Sequence, residues 1–379
     1  MKRLILIIAA ATLFTGCATQ QIAQQPRIFF PTPEDPKLEY LGTYQHSGNM
    51  KEVSTLDALL GTSTMDERLG HDAPYSIAVA TNKDKRDEQR VYVTDINRGD
   101  VLVWDFKTKS VRTFGKSEGY EHPTGVATDA VGNVYISDRD TRKIYVFDPN
   151  EKLLQTMDLS KYLKSTLNIA IDDKLRRLIV ADVTGFQVGV FDLAGKFLFK
   201  FGKVSEYNGK MVGGDADGEF NRPVAIAIDK TNSDILVADT FNARVQRFNK
   251  DGEFVSKFGG LGDGEAQFGV VKGLNIDSDS NIYVTDGKHH RISIFNRNGE
   301  ILFVMGDRNT SGRDVSGTGT QFKSLSFADN GKLYIGGFVM PQGVAVDEFD
   351  RIYIADSMNH GWQSYQYIKN YEIKKDELK

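Results

Sequence analysis

Aspartate, histidine and a single cysteine are the side chains of this 379-residue chain whose types could do chemistry, and their spacing sorts structural patterns from catalytic ones. Six aspartates, Asp95, Asp138, Asp182, Asp239, Asp286 and Asp356, lie 43, 44, 57, 47 and 70 residues apart. Each ends a short run rich in β-branched residues or tyrosine (VYVTD, VYISD, LIVAD, ILVAD, IYVTD, IYIAD) just before a turn. A short carboxylate there accepts backbone N–H groups and closes the turn, so the series reads as structural. Six histidines, His46, His71, His122, His289, His290 and His360, invite a metal. A catalytic zinc, however, needs about three converging protein ligands and an open position. The loops GGDADGEF (213–220) and GGLGDGEAQF (259–268) gather the acids of a calcium loop without EF-hand spacing. Phe114-Gly115-Lys116-Ser117 lacks the upstream glycine of a phosphate loop, Ser110 standing in its place, and neither Gly-x-Ser-x-Gly nor His-Glu-x-x-His occurs. No catalytic residue, metal ligand or cofactor is assigned on these grounds.

The elements that must position these residues repeat. Each aspartate run follows an apolar strand: PYSIAVA (74–80), PTGVATD (123–129), TLNIAID (166–172), PVAIAID (223–229), VKGLNID (271–277) and PQGVAVD (341–347). Two more strands come after each aspartate, as at 244–248 and 254–258 around the turn Asn249-Lys250-Asp251-Gly252. Four short strands per repeat at this spacing make the blade of a β-propeller, which predicts an all-β, six-bladed ring. In the first strands Ile77, Val126, Ile169, Ile226, Leu274 and Val344 are large, and each is followed by Ala78, Ala127, Ala170, Ala227, Asn275 or Ala345. Sheets converging on an axis need one small face for the neighbour's large one; Asn275 is the exception, expected as a polar anchor. The sixth repeat stops after its third strand, WQSYQYI (362–368), and leaves an edge that must be covered. The alternating segment 38–44 is the expected donor, closing the ring inside the last blade. The long interval before Asp356 contains a hairpin insertion near 323–337, turning at Asp329-Asn330-Gly331.

These repeats resemble the NHL family, whose pattern Pro-x-Gly-Ile-Ala-Val-Asp and Ile-Tyr-Val-Ala-Asp-x-x-Asn-x-Arg is kept best at 223–248 with Asp239, Asn242 and Arg244. Elsewhere Arg98, Thr141, Gly185 and His289 replace the asparagine, and the arginine position holds Asp100, Lys143, Gln187, Arg291 and Gly361. At the other end, Lys2 and Arg3 precede an apolar run (4–14) too short to span a membrane, closing on Phe14-Thr15-Gly16-Cys17. That junction resembles the lipobox of bacterial lipoproteins, so the chain as a whole resembles a bacterial NHL-repeat lipoprotein. The resemblance implies a signal peptide at 1–16, diacylation (palmitate) of Cys17, a Pro/Gln-rich tether at 17–36, the propeller at 37–370 and a charged tail at 371–379. Ala18 after the cysteine implies the outer membrane, on its periplasmic side or at the cell surface. Bacteria carrying such proteins are often rich in exported multihaem cytochromes, which the resemblance offers as a partner class. An acylated Cys17 leaves no thiol for disulfides or metal ligation.

A net charge of −4 with both signs interspersed excludes nucleic acid, which needs a basic footprint. What remains is a surface. If the first strands run from a top face to a bottom one, the loops before them share the top face with the turns after the blade aspartates. That face collects Tyr75, His122, Thr124, Asn168, Arg222, Lys272, Met340 and Gln342, ringed by Arg98, Arg139, Phe186, Phe241, His290 and Met358. The expected function is a monomeric, non-enzymatic scaffold binding a protein or peptide there, with the tether leaving from the bottom face. The alternatives are a metal-dependent lyase or lactonase with calcium or zinc on the axis, for which only His122 immediately precedes an inner strand, and a small-ligand sensor.

Overall fold

The computed structural model describes residues 28–30, 37–50, 69–81, 84–306 and 336–368. The signal segment, Cys17, most of the tether, residues 323–335 of the expected hairpin and the charged tail lie outside the described residues. Within them the chain winds six antiparallel sheets in sequence order: blade 1 (74–113), blade 2 (123–158), blade 3 (169–201), blade 4 (223–259), blade 5 (271–305) and blade 6 (341–367). Each first strand lies innermost against the first strands of its neighbours, and the sixth returns to the first. The turns between third and fourth strands form locally. Asp148, Asp192, Asn249 and Asn296 each accept the N–H groups two and four residues on, at 2.8–3.0 Å.

Packing follows the large–small alternation. Ala227 of blade 4 lies in one buried cluster with Leu274, Ile282 and Val284 of blade 5, while Ile226 on the opposite face joins Ile179 and Val190 of blade 3. Asn275 bridges rather than fills: its Nδ2 donates to the Val344 carbonyl at 3.3 Å and its Oδ1 accepts Ile276 N–H at 2.8 Å. At the upper end of the inner strands the blades approach until backbones nearly touch. A Cβ on Gly273 would sit 2.2 Å from the Gln342 carbonyl oxygen, and one on Gly343 would sit 2.8 Å from that of Tyr75. The glycine of the Pro-x-Gly motif is therefore demanded by the next blade, not by its own backbone. Hydroxyls tie the same level: Ser137 donates to the Leu167 carbonyl at 2.6 Å and Thr94 to that of Thr124 at 3.2 Å.

Leu38–Tyr44 is the outermost of blade 6's regular four strands, antiparallel to Gly361–Tyr367, with Leu38 opposite Tyr367 and Tyr44 opposite Trp362. Aromatic side chains lock this seam to blade 1. Tyr44 stacks on Trp362 at 4.0 Å, Trp362 meets Trp104 edge-on at 5.6 Å, and the Trp104 indole donates to His71 Nε2 at 3.0 Å. The segment expected as a free tether contributes a further strand: Ile28–Phe30 pairs with Leu38–Tyr40, placing Phe30 edge-on to Tyr365 at 6.0 Å. That strand runs from the top side towards the bottom, so the N-terminal segment joins the propeller along its outer rim rather than at the bottom face. Burial of Phe30 against blade 6 accounts for the difference.

Each blade has a neighbour on both faces, so an open seam removes support all round the ring. Deleting residues 37–45 is expected to abolish the cooperative melting transition followed by circular dichroism. An unchanged transition would show that the ring closes without this strand.

Candidate functional site

The top face is built on the six blade aspartates, all buried. Each ties the chain entering its blade to the turn leaving the second strand. Asp286 accepts Gly269 and Val270 N–H at 2.8 and 3.0 Å, Lys288 and His289 N–H at 3.1 and 3.2 Å, and pairs with His289 Nδ1 at 2.7 Å. Asp182 takes Lys164, Ser165 and Gly185 N–H, each at 2.9 Å. Asp95 and Asp138 repeat the arrangement with Asp72, Ala73 and Arg98, and with Glu121, His122, Asp140 and Thr141. Burial works against the Asp286 carboxylate, but these N–H groups and the imidazole outweigh it and hold it below the usual range. Asp356 has one backbone donor, Val339, and the amides of Asn359 and Gln363. Burial therefore prevails and pushes its carboxyl up to about 7.

In blade 4, Arg244 donates Nε to Asp239 at 2.8 Å and turns its other nitrogens onto carbonyls of the connector: Asp215 at 2.6 Å, Ala216 at 2.9 Å and Glu219 at 3.0 Å. Asn242 adds bonds of 2.8 Å to Asp239 and to the Gly214 carbonyl. Arg291 treats the next connector alike, meeting the Gly264 and Gln267 carbonyls at 2.8 and 2.6 Å. In the two calcium-like loops these carbonyls thus face a guanidinium.

The inner strands of five blades carry a register shift directly after their first residue: between Pro74 and Ile77, Pro123 and Gly125, Pro223 and Ala225, Val271 and Gly273, and Pro341 and Val344. Such bulges re-aim side chains at the rims of closed sheets. They set Tyr75, Thr124, Val224, Lys272 and Gln342 in one collar at the top. The expected binding residues then divide. Thr124 is buried, its hydroxyl donating to the Leu167 carbonyl at 3.2 Å, and Asn168 accepts Ile226 N–H at 3.2 Å across two blades. Those two hold the ring together. His122 and Arg222 are exposed, His122 pairing with Asp140 at 2.8 Å and Arg222 lying over the Phe241 ring at 4.9 Å. Met340 is exposed on the rim, its N–H bonded to His290 Nδ1 at 2.9 Å. Lys272, Gln342 and Tyr75 remain in the collar.

Below the collar runs a central channel of about 770 Å³, lined from Ser76, Asn168, Gly273 and Gly343 down to Asp129, Asp173, Lys174, Lys230 and Glu348 at the bottom face. The binding residues expected from sequence lie on the top face; at this lower mouth the acids after the first strands close turns, Asp129 accepting Val131 and Asn133 N–H at 3.1 and 2.8 Å. The histidines do not converge. His71 serves the closing seam, His289 bridges Asp286 and Asp263, and His360 Nδ1 contacts the Asp72 carbonyl at 2.6 Å. Among the described residues no three His, Cys, Asp or Glu side chains form a group able to hold a metal.

Replacing Arg244 by Gln should cost about 3 kcal/mol in urea denaturation, the toll of leaving a buried carboxylate without its cation, and should open 213–219 to proteolysis. Arg222→Ala, at an exposed site, should change stability by less than about 0.5 kcal/mol. Asp356 gives a pH signature. Its folded pKa lies above the unfolded value, so the folded state holds the extra proton and stability falls as pH rises from about 4 through 7. Asp356→Asn should remove a decline on the order of a few kcal/mol between pH 5 and 8; parallel pH profiles for both proteins would contradict it.

No protein-family model matches the chain. It is 29% identical over 130 residues to Protein brain tumor of Drosophila melanogaster, 34% of this chain and 11% of that one. It is 29% identical over 284 residues to the peptidyl-glycine alpha-amidating monooxygenase of Mus musculus, 72% of this chain and 25% of that one. The chain thus spans a quarter or less of the length of these curated relatives. Among solved structures, a Bacteroides thetaiotaomicron protein of unknown function superposes with a TM-score of 0.55 at 18% identity, covering 78% of this chain and 70% of that one. A gluconolactonase of Xanthomonas campestris does so with 0.52 at 14% identity, covering 90% and 100%. At such identities the structural likeness establishes the fold, and together the likenesses support a six-bladed β-propeller similar to NHL-repeat-type proteins.

Proposed function

We propose that this chain is an exported propeller, anchored to the outer membrane through an acylated Cys17, whose top face docks a protein or peptide on the periplasmic side. The carrying observation is the set of large apolar side chains left exposed on top-face turns and connectors. Phe241 (61% exposed), Leu261 (73%) and Tyr207 (69%) stand on the blade 4 turn and the two connectors flanking blade 4, with Met340 and Met358 on blade 6. Large apolar groups held out on rigid loops mark interaction surfaces. Exported multihaem cytochromes are the partner class offered by the family resemblance. Because Ile28–Phe30 runs downwards from the top side, the tether would reach the propeller at the upper edge of blade 6.

A second reading, small-ligand sensing, draws support from the 770 Å³ channel, and native mass spectrometry of protein isolated from its own cells would reveal a co-purifying ligand. A lyase or lactonase reading would be supported by stoichiometric calcium or zinc whose removal abolishes a hydrolytic or eliminating activity. The docking proposal is tested by cross-linking and pull-down from native membranes. A specific partner should be recovered with the wild type and lost with Phe241→Ser plus Leu261→Ser, whose melting transition should stay unchanged. Equal recovery by both proteins would refute top-face docking. Cys17→Ser should leave the protein unlabelled by a fatty-acid analogue; equal labelling would end the anchor proposal.

A further inference from the structure

Over blades 5, 6 and 1 the collar holds three polar groups that the propeller itself leaves unused. Lys272, Gln342 and Tyr75 occupy the equivalent bulge position on three consecutive inner strands. Those strands touch: the Gln342 carbonyl abuts Gly273, and the Tyr75 carbonyl abuts Gly343. The Lys272 methylenes lie against Gly287, and no hydrogen bond or ion pair of its ammonium occurs among the described residues. Burial alone acts on that ammonium, holding it below the usual lysine range. Gln342 is 5% exposed, and its Oε1 is buried with no partner. The Tyr75 hydroxyl likewise has no described partner; burial pushes it up to about 12, with Arg139 near enough to oppose the shift. The rest of the collar differs: Thr124 spends its hydroxyl on the next blade, and Val224 is apolar.

A half-buried ammonium without a counter-charge is costly, and so is a buried amide oxygen without a donor. One ligand relieves both only if it brings an anion and a hydrogen-bond donor together. Sulfate has no donor to offer, whereas a peptide carries an N–H beside each acidic side chain. We propose that this arc binds an acidic side chain of a peptide segment, its carboxylate on the Lys272 ammonium and the Tyr75 hydroxyl and a neighbouring peptide N–H on Gln342 Oε1. The inference rests on the top-face docking reading and gives its recognition chemistry.

The test is calorimetric titration of the full chain in detergent with three probes. Acetyl-Gly-Glu-Gly-amide carries a side-chain carboxylate, acetyl-Gly-Gly-Gly a terminal one, and acetyl-Gly-Gln-Gly-amide none. The glutamyl probe should bind saturably and the glutaminyl probe about tenfold more weakly, as loss of a charged hydrogen bond implies. Lys272→Met should lose about tenfold for the glutamyl probe and Tyr75→Phe a few-fold, both with unchanged melting transitions. In protein with 13C-methylated lysines, saturation with the glutamyl probe should move the Lys272 titration to higher pH. Tighter binding of the terminal carboxylate would overturn the side-chain assignment. Equal affinity for the glutamyl and glutaminyl probes, or for wild type and Lys272→Met, would overturn the site. The two proposals fail separately: probe binding at Lys272 with no partner recovered from membranes sinks docking alone, and a recovered partner without probe discrimination sinks the collar site alone.

Discussion

The last repeat of this chain ends one strand short, and the propeller depends on how that shortfall is met. A blade has no core of its own: the small face of its inner strand is filled by the large face of the next, as Ala227 is by Leu274. Stability is therefore shared round a ring, and a ring with one loose joint has two unsupported blades. Pairing Leu38–Tyr44 with Gly361–Tyr367 supplies the missing edge hydrogen bonds. The stack of Tyr44, Trp362 and Trp104 adds an apolar lock between the first and last blades. Two segments more than 300 residues apart thus fold as one sheet, a cost in loop-closure entropy that grows only slowly with length.

Once the ring is closed, its upper rim becomes a platform. The blade aspartates convert each entry loop and exit turn into one hydrogen-bonded unit, and Arg244 and Arg291 draw the long connectors onto the same frame by their carbonyls. A connector held this way can carry exposed Leu261, and the blade 4 turn exposed Phe241, without large conformational freedom, so little ordering entropy would be lost on covering them. One residue type serves different electrostatics here. Asp286, with an imidazole and several N–H donors, stays a carboxylate, whereas Asp356, among neutral amides, is held near neutrality by burial.

The two ends of the axis differ in kind. The channel opens below among Asp173, Lys174, Lys230 and Glu348, while the collar above carries Lys272, Gln342 and Tyr75 over only half its circumference. That asymmetry comes from single substitutions at one repeated position. The bulge sets the backbone alike in five blades, and the residue placed on it decides whether the position braces the ring, as Thr124 does, or makes no side-chain bond within it among the described residues, as with Lys272.

The six repeats, their blade aspartates, the alternation of large and small residues and the donor strand at 38–44 were all readable in the sequence. Each is a local periodicity or an uncovered edge, and chain physics allows few answers to either. The Asp-x-x-Asn-x-Arg signature was visible, but its arginine's real partners, the carbonyls of Asp215, Ala216 and Glu219, lie a whole strand pair away and follow no sequence rule. The strand at Ile28–Phe30 was hidden for a similar reason: three apolar residues among prolines and glutamines become a strand only when blade 6 offers an edge. The division of the top-face residues into braces and free groups was likewise beyond the sequence, which lists Thr124 and Lys272 as equals at the same repeat position. The next blade comes close enough to demand glycine at 125, 273 and 343 alike, and only that tertiary approach offers the carbonyl that the short Thr124 hydroxyl reaches and the Lys272 side chain does not.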